Sequence, residues 1–276
     1  MTATLYIVAT PLGNLADLSS RAADCLRRVA VVAAEDTRRT RGLLAHLGAR
    51  PQLLSFHAHS GPRRTEGLIE ILRSGRDVAL VTDAGTPGVS DPGPELVAAA
   101  REQGFPVVPV PGPSAVTTAI SASGLPADRY LFLGFMPRKG VERARLLARA
   151  AAEEWSVVFF EAPGRLGALL EDLRALAGPE RRAVVARELT KVHEEFRSGT
   201  LAELADYYSR EEARGEVTLV LAGTGEAPPA PDRSDEARAL ATRLLGEGAS
   251  RREAARQVAA DLGMARNEAY RLVTEL

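Results

Sequence analysis

A single cysteine in 276 residues, Cys25, leaves no internal disulfide to form. The four histidines are scattered, so no Cys/His set has the spacing of a zinc site. No apolar run approaches the roughly 18 residues of a membrane span. The opening segment, MTATLYIVATPLGN, is a short apolar strand without a basic flank, which is not the pattern of a signal peptide. These absences predict a protein of the bacterial cytoplasm, with no metal centre and no membrane partner. Lysine is nearly missing, with Lys139 and Lys191 as its only occurrences, and the net charge is −1. The chain as a whole is therefore no basic coat for nucleic acid.

What charge there is lies unevenly. Between Arg21 and Arg76 stand eleven arginines against five acids (Asp24, Glu35, Asp36, Glu66, Glu70). A basic segment inside a neutral chain is the footprint expected for a polyanion. A solvated, arginine-rich surface drawn from a GC-rich genome is the alternative.

Length and composition, 45% hydrophobic and 26% charged, suit one large or two ordinary globular domains. The apolar, β-branched runs 5–10, 29–34, 77–83 and 105–110 alternate with helical stretches near 19–28, 37–47, 62–74 and 94–103. A helix follows at about 113–123. Continuous apolar strands separated by helices predict a mostly parallel sheet covered on both faces. The pattern then changes. Strands at 129–135 and 155–162 flank a helix at about 140–153, and strands at 182–190, 193–200 and 216–223 follow, with HEEFRSGT as a hairpin partner. A mixed α/β domain is expected there, with a boundary near 112–128. The predicted organisation is 1–112, 113–226 and, after a Pro-rich linker at 225–234, a tail over 234–276. In that tail Ser250 and Glu253 make a capping box, Gly263 separates two helices, and Arg266 and Arg271 lie on the second. This is a helix-turn-helix-like pattern, or a small packing appendage. Its seven arginines balance seven acids.

The most distinctive stretch is VTDAGTPGVSDPG, residues 81–93. It leaves the end of an apolar strand and is too long for a plain turn. It has no Gly-Lys-Ser/Thr for a triphosphate and no third glycine at dinucleotide spacing. Glycine permits close backbone approach and proline stiffens, so the loop is suited to surround a flat ligand with backbone groups. ATPLGNLADLS (9–19) and PVPGPSAV (109–116) share this character. Three such loops at strand C-termini predict one shared crevice.

TPLGNLADLS, EDTRRTRGLL, SFHAHS, VTDAGTPGVSDPG, VPGPSAV, FMPRKG, FFEAPGRL and RELTKVHEEFRSGTL follow one another in an order that resembles the 16S rRNA 2′-O-cytidine methyltransferases. These form a branch of the tetrapyrrole-methylase class of S-adenosylmethionine enzymes. The resemblance runs from residue 5 to about 223. It implies two α/β domains with S-adenosylmethionine folded into the cleft between them, a small helical appendage, and a homodimer acting on 16S rRNA, in the 30S subunit, near the decoding centre. By position it implies cofactor roles for Pro11, Leu12, Asp83, Gly85, Thr86, Pro87, Val89, Ser90, Ser114, Ala115, Phe160, Glu161, Leu189, Val217 and Thr218. Gly85-Thr86-Pro87 stands where related methylases carry Gly-Asp-Pro, a departure that argues against a corrin or porphyrin substrate.

A ribose hydroxyl is a poor nucleophile at neutral pH, so a proton acceptor is expected. Asp36, Glu161 and Glu188 are the candidates, with His57 behind them. Asp36 also stands where a helix cap would. Arg38, Arg39 and Arg41 are expected to touch RNA phosphates, with a solvated helix face as the alternative. His57 and His59 are spaced for one face of a strand. His57, with Arg138 and Lys139 in MPRKG and Arg187 and Lys191 beside Glu188, completes the expected RNA set. An exposed turn and an internal ion pair are the respective alternatives. Two rival functions stand against this reading: a methyltransferase of a tetrapyrrole or protein, and a non-enzymatic RNA-binding assembly factor.

Overall fold

The computed structural model describes residues 2–225, 234–262, 264 and 266–275. The chain divides into two compact units, Met1–Ala227 and Pro228–Leu276.

In the first unit, strands and helices alternate: β1 (Leu5–Val8), α1 (Ser20–Arg28), β2 (Val31–Ala34), α2 (Thr37–His46), β3 (Gln52–Ser55), α3 (Gly61–Arg73), β4 (Val78–Val81), α4 (Pro94–Glu102) and β5 (Val107–Val110). The five strands form one parallel sheet in the order β3-β2-β4-β1-β5. Side chains alternate between its two faces. Val31, Ala33, Val78 and Leu80 pack against Leu68, Ile69 and Leu72 of α3 and Leu96 and Ala100 of α4. Val32, Ala34, Ala79 and Val81 pack against Ala22, Cys25 and Leu26 of α1 and Leu44 of α2. Both faces of β2 and β4 are covered, which is why these central strands are apolar throughout. β1 sends its chain over one face and β4 sends its chain over the other. The two loops diverge between adjacent strands, and such switch points open a crevice.

The second sheet begins after α5 (Ala115–Ser123). It contains β6 (Tyr130–Phe135), β7 (Ser156–Glu161), β8 (Arg182–Arg187), β9 (Glu195–Thr200) and β10 (Val217–Leu221), in the order β6-β7-β10-β8-β9. Only β6 and β7 run parallel. α6 (Val141–Ala152), α7 (Leu166–Ala177) and α8 (Leu201–Tyr208) cover one face through Leu147, Leu166, Leu169, Leu173 and Leu204. The other face carries Val158, Val184, Ala186 and Val220, and it packs on α5 and on Leu12 of the first sheet's loops. A capping box joins Thr200 and Glu203 at the start of α8.

The expected mixed α/β half and the hairpin of β8 with β9 are both present. Three details differ. β3 is an addition to the expected strands: its four residues, QLLS, are short and largely half-exposed at a sheet edge. His57 and His59 lie beyond β3 in a turn, where the His59 N–H donates to His57 Nδ1 at 3.2 Å, so they share no strand face. The two expected tail helices are present as α10 (Arg251–Leu262) and α11 (Arg266–Thr274), and a third, α9 (Ser234–Gly246), precedes them. They close an alanine-rich core of Ala237, Ala241, Ala254, Ala255, Val258, Ala269 and Leu272. The Ser250–Glu253 capping box is formed as expected. The linker residues 226–233 and Gly263 lie outside the described residues.

Candidate functional site

The three Gly/Pro-rich loops are stitched together by backbone and hydroxyl bonds. Thr10 and Gly85 exchange N–H···O bonds of 2.9 and 3.0 Å across an isolated bridge. The Thr10 hydroxyl donates to Thr82 O at 3.1 Å, and the Thr86 hydroxyl donates to Pro113 O at 3.1 Å. Ala9 N–H donates to Val110 O. Loops 9–19, 82–93 and 109–116 thus meet above the C-terminal ends of β4, β1 and β5, which are neighbours in the sheet. Gly85 is at φ +83°, and a Cβ there would lie 3.3 Å from Leu12 Cδ2 and 3.8 Å from Pro113 O. Glycine is what lets these loops close on one another.

The second sheet supplies the facing wall. Leu12, Ala84, Val89, Ala115, Val116, Phe132, Phe160 and Leu189 form one apolar cluster. The Phe160 ring meets Phe132 edge-on with centroids 4.9 Å apart. Thr218, paired with Phe160 across β10 and β7, is buried on the same face. Two contacts cross from loop to sheet: Ser90 Oγ lies 2.9 Å from where a Cβ on Gly134 would stand, and Lys191 lies over Gly13. Of the expected cofactor residues, Leu12, Val89, Ala115, Phe160, Leu189 and Thr218 therefore line a common apolar wall. Gly85, Thr86 and Pro87 form the adjoining backbone, with half-exposed Pro11 and Ser114 beside them and Ser90 at the rim. Glu161, Val217 and Arg187 share one cross-strand row, one residue along from Phe160, Thr218 and Ala186. Period-two alternation turns their side chains to the opposite face, toward α6–α8.

Each expected proton acceptor is already engaged. Asp36 caps α2, accepting the Arg38 N–H at 2.8 Å, and its carboxylate also grips the Arg38 guanidinium. Those Arg38 hydrogen bonds hold its carboxyl down to about 2. Glu161 is buried, pairs with Arg165 at 3.0 Å, and accepts the Ala162 N–H at 2.8 Å. Glu188 pairs with Lys191 at 2.8 Å, and that ammonium, with the Glu216 N–H, holds it below the usual carboxylate range.

A carboxylate outside the sequence-derived candidates stands in the same loop. Asp91 is half-buried beside Glu35 and Asp83. Burial and then the Glu35 and Asp83 charges push it up to about 6, while the Thr82 hydroxyl works the other way. Asp83 is itself tied into the neighbouring strand end: it accepts the Asp36 N–H at 3.0 Å, its own N–H meets Glu35, and Arg39 lies 3.7 Å away. The only sequence signal for Asp91 is its place in the SDPG of the 81–93 loop.

The expected RNA residues divide by partner. Arg38, Arg39, Arg187 and Lys191 are paired with Asp36, Asp83, Glu195 and Glu188, respectively. Arg41, His57, Arg138 and Lys139 are exposed. Among the described residues no group of His, Cys, Asp and Glu is arranged to hold a metal ion, and no helix is long and apolar enough to cross a membrane.

The model of the family described as Tetrapyrrole (Corrin/Porphyrin) Methylases matches residues 4–205. A protein of Synechocystis sp. named ribosomal RNA small subunit methyltransferase I is 43% identical over 99% of this chain and 98% of its own length. A protein of the same name from Micromonospora olivasterospora is 45% identical over 99% of this chain and 88% of its own. A crystal structure of uroporphyrin-III C-methyltransferase from Thermus thermophilus, in complex with S-adenyl homocysteine, superposes with a TM-score of 0.59 at 22% identity. The alignment covers 80% of this chain and 97% of that one.

Proposed function

This chain belongs to the tetrapyrrole (corrin/porphyrin) methylase family, and we propose that it uses S-adenosylmethionine to methylate the ribose 2′-hydroxyl of a cytidine in 16S rRNA. The target lies near the decoding centre. The observation that carries the substrate is near full-length likeness to proteins named for methylation of small-subunit ribosomal RNA. Within the basic 21–76 segment Arg41, Arg63 and Arg64 are exposed with no carboxylate partner among the described residues, which suits a polyanion. Action within the assembled 30S subunit, a homodimer and a cytoplasmic setting are its finer parts.

The residues fit the cofactor. Closely packed loops joined through Thr10, Gly85 and Thr86 offer backbone groups, and the wall of Leu12, Ala115 and Phe160 suits a flat ring. When bound, the sulfonium supplies an electrophilic methyl group. The chain's own task is to hold the ribose oxygen in line with that methyl, exclude water and receive the hydroxyl proton. Among the carboxylates, Asp36, Glu161 and Glu188 are committed to ion pairs. Asp91, on the 81–93 loop, makes no ion pair among the described residues, and burial raises its carboxyl, so it is the carboxylate to test as the proton acceptor. Methyl transfer from labelled S-adenosylmethionine to 30S subunits lacking the modification tests the reading. Label on one cytidine ribose supports it. Cofactor binding without label on RNA overturns the substrate and leaves the fold assignment standing. Naked 16S RNA as a parallel acceptor separates free RNA from subunit, and light scattering reads the dimer.

A further inference from the structure

The three arginines of α3 are treated unequally. Arg73, at the far end, is saturated by Glu66 at 2.6 Å, by Glu70, and by Gln103. Arg63 and Arg64, at the end that follows the C-terminus of β3, are exposed, and the described residues give neither a carboxylate partner. They edge a recess of about 380 Å³ with Ser60, Gly67, Leu54 and Leu68. The recess lies where β3 ends, at the same side of the sheet as the three loops, and β3 is an edge strand with no neighbour beyond it.

Gly67 stands in the wall of the recess. Glycine is among the residues a helix interior tolerates least. Nothing lies within 4 Å of a Cβ built there, so neither packing nor a close approach demands it. Gly67 lines the recess with Leu54 and the two arginines, and a larger side chain there has open space to extend into.

We propose that this recess is a second contact site for the RNA substrate, taking one nucleotide of a single-stranded segment next to the target. The guanidinium groups of Arg63 and Arg64 hold its phosphate, and the half-buried Leu54 bears its sugar or base. Guanidinium is the side-chain group best matched to phosphate oxygens. Single-stranded RNA offers an unstacked nucleotide to such a contact. The site rests on the RNA reading above and gives the basic 21–76 segment a place of contact.

The test separates charge from shape. Arg63→Ala/Arg64→Ala removes the charge, and Gly67→Leu fills the recess with both arginines kept. Direct binding to a single-stranded 16S fragment is measured by filter retention across a salt series, together with KM for 30S subunits and affinity for S-adenosylmethionine. The expected result is a tenfold or larger loss of RNA affinity in both variants, with cofactor affinity unchanged. The salt slope falls by about 0.7 for each phosphate that the arginine variant no longer holds, and it stays at the wild-type value in Gly67→Leu. Gly67→Ala, which favours the helix, controls for folding. Wild-type RNA affinity in either variant, with a native melting curve, overturns the recess. So does a wild-type protein that binds no RNA. If the wild type binds RNA without methylating it and both variants weaken that binding, the recess stands and the methylation reading falls.

Discussion

Thr10 and Gly85 exchange two backbone hydrogen bonds between the loops that leave β1 and β4. The strands beneath are parallel and adjacent, yet their chains depart over opposite faces of the sheet. The bridge ties the two loops together where their chains part.

Gly85→Ala meets two penalties there, a φ of +83° and a Cβ 3.3 Å from Leu12. It is expected to cost about 1–2 kcal/mol in chemical denaturation. It is also expected to weaken S-adenosylmethionine binding at least tenfold by calorimetry. Thr10→Ala removes only the hydroxyl bond to Thr82 O and is expected to cost about 1 kcal/mol. Native cofactor affinity in Gly85→Ala would take this loop out of the site.

Lys191 and Gly13 give a test of the contact between the loop after β8 and the first sheet. A Cβ on Gly13 would run into the Lys191 stem at Cγ. Gly13→Val is therefore expected to destabilise by about 1 kcal/mol, less than in a rigid core because the lysine can swing away. Lys191→Ala alone should cost under about 1 kcal/mol, since its ion pairs are partly exposed. The double variant is expected to recover most of the valine's penalty, which a double-mutant cycle reads as coupling. Simple additivity would show that the two loops do not touch in solution.

The three loops are legible in the sequence because glycine and proline mark them whatever the rest of the chain does. The alternating strands and helices are legible because both faces of the first sheet's central strands are buried. Strand register is not. Phe160 and Glu161 are neighbours in sequence, yet one faces the loops and the other faces α7, and that depends on α5 covering only one side of the second sheet. The pairing of Arg187 with Glu195 is a cross-strand relation of the same kind. β3 escapes a reading by pattern because four partly exposed residues carry too little of it, and the true setting of His57 escapes with it. Beyond its place in the 81–93 loop, the character of Asp91 is not legible in the sequence, because it comes from burial and from Glu35 and Asp83, which folding brings beside it.

Asp36 separates a cap from a base. Asp36→Asn keeps an acceptor for the Arg38 N–H and is expected to retain methyl transfer with a small loss of stability. Asp36→Ala loses the cap and destabilises more. Its carboxyl is depressed in the folded protein, so its stabilisation is present above its unfolded value of 3.8 and is lost as pH falls toward about 2. The melting difference between wild type and Asp36→Ala should shrink over that window. A collapse of kcat in a stable Asp36→Asn protein would make Asp36 the proton acceptor.

Asp91 carries the opposite sign. Its carboxyl is raised from 3.8 to about 6, so the folded state holds its proton more tightly than the unfolded chain. The stability it allows is present below about pH 4 and falls as pH rises to about 6, because ionisation sets a half-buried charge beside Glu35 and Asp83. Asp91→Asn is therefore expected to raise the melting temperature at about pH 7.5 and to leave it unchanged near about pH 3. The same substitution should lower kcat by about 10²-fold or more if Asp91 takes the ribose proton. The wild-type rate should climb with pH through about 6, and that limb should vanish in the variant. A variant that gains stability and keeps both rate and limb would show that the charge strains the loop without serving the chemistry. One that loses the rate while gaining stability would show a carboxylate held at a cost for the reaction it performs.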